Sequence, residues 1–267
     1  MINLDLFQKY LKEYKEDFIP RFKFESNYIW QAVQNFQVNF NLEAEDFHNM
    51  LNLALSKTGK LMVLRSLIYA DQPRKQILLL AETYPKETAK MFADLFDEQI
   101  PLVDRLLSAR RTTTSLRTSW NDREDCPFKF IHNHQNFYII SLYLFLRYPD
   151  KYFIYQASMF REASLFLQTS YQFDSAKPEN NVINSQLFMQ ELQKNLQQDA
   201  ELVKLLRSCL RDKHYPDKEL NILTSDFVYF LKVRSSTQKR LIYKPRFKKN
   251  QSSKKYGQKN TQGTNNH

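Results

Sequence analysis

Apolar side chains recur at intervals of three and four residues at the start of the chain. The clearest stripe consists of Leu4, Phe7, Leu11, Tyr14 and Phe18. This spacing places all five on one face of a helix. We expect that helix to end at Ile19-Pro20, because proline is poorly tolerated in a helix interior.

Two further helices are predicted before residue 60. Ser26 is a suitable N-cap for the second helix. The inward positions of that helix are Trp30, Val33, Phe36 and Phe40. The third helix is predicted from Glu45 to Ser56, and Gly59 after it suits a C-terminal cap.

Prolines open the next pair of helices. Pro73 and Pro85 each stand where a first-turn proline is tolerated. The apolar residues that these helices bury are Ile77, Leu80, Phe92, Leu95 and Phe96. The polar stretch from Ala109 to Phe130 then predicts a long surface loop, and a candidate domain sub-boundary lies near residues 110–130.

The stretch SLYLFLRYPDKYFIY, residues 141–155, holds ten apolar or aromatic side chains in fifteen positions. The apolar run from Phe137 to Leu146 is about ten residues long, whereas a membrane-spanning helix needs roughly 20. We therefore expect a buried helix that Pro149 stops, and no membrane insertion. A turn and a short extended segment at residues 153–155 follow.

The remainder of the body continues this pattern. We predict a helix around Phe160 to Leu167, a polar loop from Asp174 to Asn181, and two helices across Ser185 to Arg211. The segment HYPDKELNILTSDFVYFL then predicts a second proline turn and a short apolar helix or strand. YPDK occurs in both turns, but the flanking residues do not align, which favours two independent turns over a duplication.

Glycine and cysteine usage narrows the fold class. The 267 residues include only three glycines, so glycine-rich hairpin turns and nucleotide loops are almost missing. The predicted class is mainly α: a compact multi-helix body with at most a few short strands and a disordered basic C-terminal tail. Cys126 and Cys209 are too few for a disulfide framework, and no signal peptide is evident, so we expect a cytoplasmic protein.

The formal charge of +10 is concentrated at one end of the chain. Residues 232–267 contain eleven Lys or Arg and no Asp or Glu, which leaves 28 basic and 29 acidic residues in 1–231. The basic segment is also rich in Ser, Gln and Asn, which bury little apolar surface. The sequence therefore predicts a near-neutral recognition module, residues 1–231, and a disordered basic tail, residues 232–267.

Nucleotide and zinc sites are not predicted. Gly59-Lys60 lacks the earlier glycine and the following hydroxyl of a P-loop. Cys126, His132 and His134 supply three zinc ligands without an evident fourth, which favours a surface loop that happens to contain them.

The sequence gives equally little evidence for a catalytic site built from acidic residues. Pro149-Asp150 and Pro216-Asp217 are not followed by the carboxylate and lysine that a nuclease of the PD…(E/Q)xK kind needs. Asp94, Asp97 and Glu98 share one helical face, which an exposed charged surface explains. No catalytic residue, cofactor or metal is therefore predicted, and we do not expect an enzyme.

The basic tail is the candidate nucleic-acid-binding region, because cations neutralise phosphates and interleaved rings stack on exposed bases. Its candidate residues are Lys232, Arg234, Lys239, Arg240, Tyr243, Lys244, Arg246, Phe247, Lys248, Lys249, Lys254 and Lys255. Phosphate contacts carry no base information, so this segment alone is not expected to select a sequence. The alternative is a solubilising end or linker that binds any polyanion weakly.

Four segments are similar, in order, to the N-terminal region of bacterial McrB-like AAA+ restriction proteins. They are AEDFHNMLNLALSKTGKL, PKETAKMFADLFDE, ISLYLFLRYPDKYFIYQASMF and AELVKLLRSCLRDKHYPDKELNILTSDFVYFL. The similarity covers about Ala44 to Leu231, and its most specific pieces are LRYPDKY at 146–152 and LTSDFVYF at 223–230. In that family the N-terminal module is taken to choose the target of a ring motor, which works with a separate nuclease against modified or foreign DNA.

The resemblance implies recognition without catalysis, because the basic segment stands where the family's motor would follow Leu231. We therefore expect a non-catalytic DNA target-recognition module of a modification-dependent restriction or phage-defence system. Its partners would be DNA, modified or not, and a separate AAA+ GTPase or ATPase subunit with its nuclease. An adaptor that docks on such a motor or nuclease without touching DNA, and an inactive gene fragment, are the alternatives. We expect most body aromatics to be core, and a pocket that holds a flipped base between some of these rings is a further hypothesis.

Overall fold

The computed structural model of the chain describes residues 1–62, 72–174 and 176–242. Over these residues the fold is helical and contains no strand, which confirms the mainly α prediction. Its helices are α1 (Leu4–Arg21), α2 (Tyr28–Asn39), α3 (Phe47–Ala54), α4 (Gln72–Thr83), α5 (Pro85–Phe96), α6 (Leu102–Asn121), α7 (Phe137–Arg147), α8 (Ala157–Phe166), α9 (Pro178–Gln197), α10 (Ala200–Cys209) and α11 (Asn221–Ile242). A π-helical turn, Phe22–Ser26, joins α1 to α2.

Helix α7 forms the centre of the body. It packs against α2, α5, α6 and α9, and its side chains from Ile139 to Leu146 are all buried. A helix that is apolar on every side is stable only when neighbours surround it. The structure therefore confirms the buried helix predicted before Pro149, and one continuous hydrophobic core extends from it through both halves of the body.

Residues 152–155, which include the segment predicted as extended, follow α7 outside any helix, and all four are buried. We call these four residues the extended segment. Side chains from two helices replace a partner strand here. Gln186 of α9 accepts from Phe153 N at 2.9 Å and donates to Phe153 O at 3.2 Å. Ser225 and Asn221 of α11 bond Ile154 N at 3.1 Å and Tyr152 O at 3.2 Å. The buried backbone of this segment thus depends on polar side chains for its hydrogen bonds.

The predicted boundary between the first two helices is wrong. Pro20 lies inside α1, which continues to Arg21 and passes directly into the π-helical turn. Asn27 N bonds Phe22 O at 3.0 Å, and this wider turn carries the chain onward without a break. Ser26 lies within the π-helical turn, so it does not cap α2, whose N-cap is Asn27. The inward residues predicted for α2 are buried.

The surface loop predicted for the polar stretch from Ala109 to Phe130 is absent from its first half, so that prediction is wrong there. Helix α6 continues to Asn121. Its buried positions at residues 106, 109, 113, 116 and 120 follow helical spacing, but Ala and Thr occupy two of them and weaken the apolar signal. The candidate sub-boundary near 110–130 therefore starts inside a continuous helix. Beyond it the chain is irregular, and Trp120 Nε1 donates to Phe128 O at 3.1 Å.

Helix α11 also corrects the limit predicted between body and tail. The chain remains helical from Asn221 to Ile242, so a disordered tail cannot begin at Lys232. Residues 243–267 of the predicted tail lie outside the described residues.

The third helix is shorter than predicted, and Gly59 lies in a later turn, since Leu55 is the C-cap of α3. Pro73 and Pro85 do occupy first turns, as predicted.

Candidate functional site

A cleft lined by both aromatic rings and charged side chains lies beside α11. It measures about 430 Å3 and forms where the π-helical turn, the N-terminal ends of α2 and α7, the extended segment and α11 meet. Tyr28, Tyr138 and Tyr229 supply its aromatic surface. We call it the tyrosine cleft. Clefts of about 300–1,000 Å3 with apolar walls and a few polar groups are typical of small-molecule sites.

The buried polar residues of the tyrosine cleft include an ion pair between α1 and α11. Arg21 Nη2 donates to Asp226 Oδ1 at 2.8 Å. Tyr14 Oη, from behind this pair, donates to Asp226 Oδ2 at 2.7 Å. Burial raises the pKa of Asp226, and the positive charge of Arg21 opposes that shift. Arg21 also donates from Nη1 to Glu25 at 3.3 Å, so its positive charge is matched inside the protein.

Among the residues that the structure describes, Arg21 Nε and Ser26 Oγ are buried atoms without a hydrogen-bond partner, and both residues line the tyrosine cleft. Arg21 is 4% exposed and Ser26 is 3% exposed, so bulk water does not reach these side chains freely. A buried polar group without a partner costs about 1–3 kcal/mol.

Two lysines lie at more accessible positions of the tyrosine cleft. Lys60 is exposed, and its Nζ lies 5.1 Å from the ring centroid of Tyr28. Lys232 is half-buried, donates to Gln156 Oε1 at 3.0 Å and lies 5.9 Å from the ring centroid of Tyr229. Burial lowers the pKa of Lys232, while nearby Glu162 opposes that shift. These cations are suited to meet an anionic group outside the buried part of the tyrosine cleft.

Two tyrosines of the cleft, Tyr28 and Tyr138, can donate hydrogen bonds at neutral pH because their pKa values are raised. Burial raises the pKa of Tyr28 to about 12. Burial also raises the pKa of Tyr138, whose hydroxyl donates to Leu61 O. Tyr229 is 43% exposed, so its ring is available to a ligand.

The predicted nucleic-acid-binding residues divide into three groups in the structure. Lys232 lines the tyrosine cleft, whereas Arg234 pairs with Glu13 at 3.7 Å. Lys239 and Arg240 lie on the last turns of α11, but the described side chains of that helix end at Ser235. The remaining eight, from Tyr243 to Lys255, lie outside the described residues.

The candidate metal ligands do not form a site. Among the described residues, no group of three or more His, Cys, Asp or Glu side chains is arranged to hold a metal ion. His132 and His134 have ring centroids 6.4 Å apart, and Cys126 Sγ contacts Phe128 O at 2.6 Å.

The acidic residues considered for catalysis have structural partners. Asp94 pairs with Lys90 at 2.8 Å, and Glu98 pairs with Lys151 at 2.6 Å. Asp97 accepts from Gln99 N at 3.0 Å. These contacts agree with a charged surface.

The two YPDK turns, treated as independent in the sequence, lie against each other. Tyr215 Oη of the second turn donates to Asp150 Oδ2 of the first at 2.7 Å. Asp217 is buried and accepts from Ile222 N, Leu223 N and Trp30 Nε1 at 3.0, 2.9 and 3.2 Å. Burial raises the pKa of Asp217 to about 6, and its hydrogen bonds oppose that shift. Asp217 therefore fixes the start of α11, which carries one wall of the tyrosine cleft.

A second cleft, of about 420 Å3, lies between α6 and the first YPDK turn. Its polar groups bond to one another: Arg105 Nη2 donates to Tyr152 Oη at 2.8 Å, and Tyr152 Oη donates to Glu98 Oε1 at 3.0 Å. Most of these polar groups have partners within the protein, but Arg105 Nε, like Arg21 Nε, is buried without a hydrogen-bond partner among the described residues.

Comparison with protein families, with characterised proteins and with solved structures gave no match to this chain. Within the part of the chain that the structure describes, no helix has the length and apolar character needed to cross a membrane. The tyrosine cleft is therefore interpreted from its own geometry.

Among the residues that line the tyrosine cleft, sequence reasoning named only Lys232 as a site residue. It assigned Ser26 to a helix cap and named neither Arg21 nor Tyr28 as a site residue. The one local signal was the sequence FIPRFKFES, in which a proline precedes closely spaced charged and aromatic residues. Pairings such as Arg21 with Asp226, 205 positions apart, have no local signature.

Proposed function

We propose that the protein is a non-catalytic DNA-recognition module of a McrB-like restriction or phage-defence system. The observation that carries this proposal is the placement of positive charge. Residues 232–267 contain eleven Lys or Arg and no acidic residue, and they begin on the helix that forms one wall of the tyrosine cleft. The resemblance to the N-terminal region of McrB-like proteins supports the same assignment.

This placement supports a division of labour between two parts of one chain. Cations that neutralise phosphates supply affinity that does not depend on sequence. Selectivity needs contacts to bases, and the tyrosine cleft offers rings and hydrogen-bonding groups for them. Because α11 connects the two parts, a strand held by the basic segment is kept near the tyrosine cleft.

The test uses the full chain and a variant in which five basic-segment lysines become glutamine: Lys244, Lys248, Lys249, Lys254 and Lys255. The control carries the same change at five exposed lysines of the body: Lys12, Lys86, Lys194, Lys204 and Lys213. Binding to modified and unmodified DNA duplexes is measured by fluorescence anisotropy over a range of salt concentrations. Both variants lose five charges, so only the position of the charge differs.

We expect the salt slope of the basic-segment variant to fall by up to about 4.5, from five contacts at about 0.9 each. The control should keep the slope of the natural chain. Failure of the natural chain to bind DNA at low salt would refute the proposal. DNA binding that appears only when a AAA+ partner is added would instead support the adaptor hypothesis.

A further inference from the structure

The exposed face of α6 is rich in arginine and in hydroxyl groups. Residues 105–121 contain four arginines and seven serines or threonines, and no Asp or Glu. Serine and threonine are weaker helix formers than alanine, so this composition does not favour the helix in which it lies. A conflict between local preference and the folded structure is typical of functional sites.

A third cleft, of about 500 Å3, lies where α6 meets the N-terminal ends of α7 and α9. Arg110, Arg111 and Ser115 of α6 line it, together with Phe137 of α7. We call it the arginine cleft. Phe137 is followed directly by Tyr138, which lines the tyrosine cleft, so both clefts lie at the N-terminal end of α7.

The two arginines of this cleft are accessible, whereas Arg21 and Arg105 are buried. Within the part of the chain that the structure describes, neither Arg110 nor Arg111 forms an ion pair or a side-chain hydrogen bond. Arg110 Cζ lies 4.7 Å from the ring centroid of Phe137. This contact uses the flat face of the guanidinium, so the N–H groups at its edge remain available to a ligand.

The charge of the arginine cleft favours an anionic partner. Two arginines and one carboxylate, Glu179, line it, so its net charge is +1. Glu179 lies in the first turn of α9, where the helix dipole stabilises a carboxylate. The planar fork of an arginine fits two oxygens of one phosphate, and the exposed hydroxyl of Ser115 is a further donor.

We propose that the arginine cleft binds the phosphodiester backbone of a DNA duplex. The inference deepens the proposed function, on which it rests for the source of the phosphates. It adds to the basic segment a contact on the body itself. Because phosphate contacts fix the position of a duplex, this contact holds DNA at the end of α7 that also carries the tyrosine cleft.

The first test combines Arg110→Gln with Arg111→Gln in the full chain. The control combines Lys204→Gln with Lys213→Gln, which removes two exposed charges on and after α10. Binding to a DNA duplex is measured by fluorescence anisotropy over a range of salt concentrations. We expect the arginine variant to lower the salt slope by about 1–2, from two contacts at about 0.9 each, and to weaken binding about 10- to 60-fold at 0.1 M salt. The control should keep the slope of the natural chain.

The second test changes the charge of the arginine cleft in the opposite direction. Glu179→Gln should strengthen DNA binding about two- to fivefold, because a carboxylate in the cleft repels a phosphate. Glu87→Gln is the matched control, since Glu87 also lies in the first turn of a helix, α5, but does not line the cleft. Its affinity for DNA should equal that of the natural chain. A purely structural role of Glu179 would not raise affinity.

The possible results separate this inference from the proposed function. DNA binding with equal slopes in the arginine and lysine variants would overturn the inference and leave DNA recognition standing. A slope that depends on Arg110 and Arg111 even after the five lysines of the basic segment are replaced would support the inference and refute the basic segment as the main source of affinity. Poly-L-glutamate is the competing probe. If the arginine variant loses binding to poly-L-glutamate but not to DNA, the cleft fits an acidic protein and the inference is overturned.

Discussion

Gln186 offers the sharpest test of how this fold is held together. Its side-chain amide accepts from Phe153 N at 2.9 Å and donates to Phe153 O at 3.2 Å, so it satisfies both backbone groups of a residue that is 1% exposed. Gln186→Met keeps a side chain of similar length but removes both hydrogen bonds. Each buried backbone group left without a partner costs about 1–3 kcal/mol. The two groups together predict a loss of about 2–6 kcal/mol in the free energy of unfolding.

The measurement is urea unfolding followed in parallel by far-UV circular dichroism and tryptophan fluorescence, with the melting temperature as a second readout. Gln190→Met is the matched control, because Gln190 lies one turn later on α9 and is exposed. The control should change the free energy of unfolding by less than about 0.5 kcal/mol. At about 2–4 °C per kcal/mol, Gln186→Met should lower the melting temperature by at least about 4 °C. A Gln186→Met variant as stable as Gln190→Met would refute the claim that side chains replace a strand at residues 152–155.

Two further predictions concern buried carboxylates. Tyr14→Phe removes the 2.7 Å hydrogen bond to Asp226 and should lower the free energy of unfolding by about 1.5–3 kcal/mol, measured by urea unfolding; an unchanged midpoint would contradict a role for that bond. In Asp217→Asn an amide NH2 replaces one carboxylate oxygen, so at least one of the three donors loses its acceptor. We expect the free energy of unfolding at pH 7.5 to fall by about 1–3 kcal/mol in the same assay. Burial raises the pKa of Asp217 to about 6 in the folded protein, whereas its unfolded value is about 3.9. Between about pH 4 and pH 6 Asp217 is therefore protonated more in the folded state than in the unfolded state, which stabilises the folded state as pH falls. The natural chain should therefore gain stability relative to Asp217→Asn as pH falls from 7 to 4, and a constant difference across that range would exclude the shift.

Local patterns predicted those helices whose signal lies within a few turns of sequence. The stripe in α1, of which only Leu4 is exposed, and the dense apolar run of α7 both predicted buried helices, because side chains three or four residues apart share a face. Pro149 marked the end of α7, since proline disfavours helix in the residue before it. The same reasoning failed at Pro20, where a π-helical turn lets the chain remain helical, and at α6, whose buried face includes Ala and Thr.

The sequence by itself determined the helical class and the concentration of positive charge at one end, because both follow from composition and local spacing. Only the tertiary structure decided that Arg21, Ser26, Tyr28 and Lys232 share one cleft. Their proximity depends on α1, the π-helical turn and α11 packing together from opposite ends of the chain. Tertiary packing also buried Arg21 Nε and Ser26 Oγ away from any partner within residues 1–62, 72–174 and 176–242, since a side chain's partners depend on which segments surround it after folding.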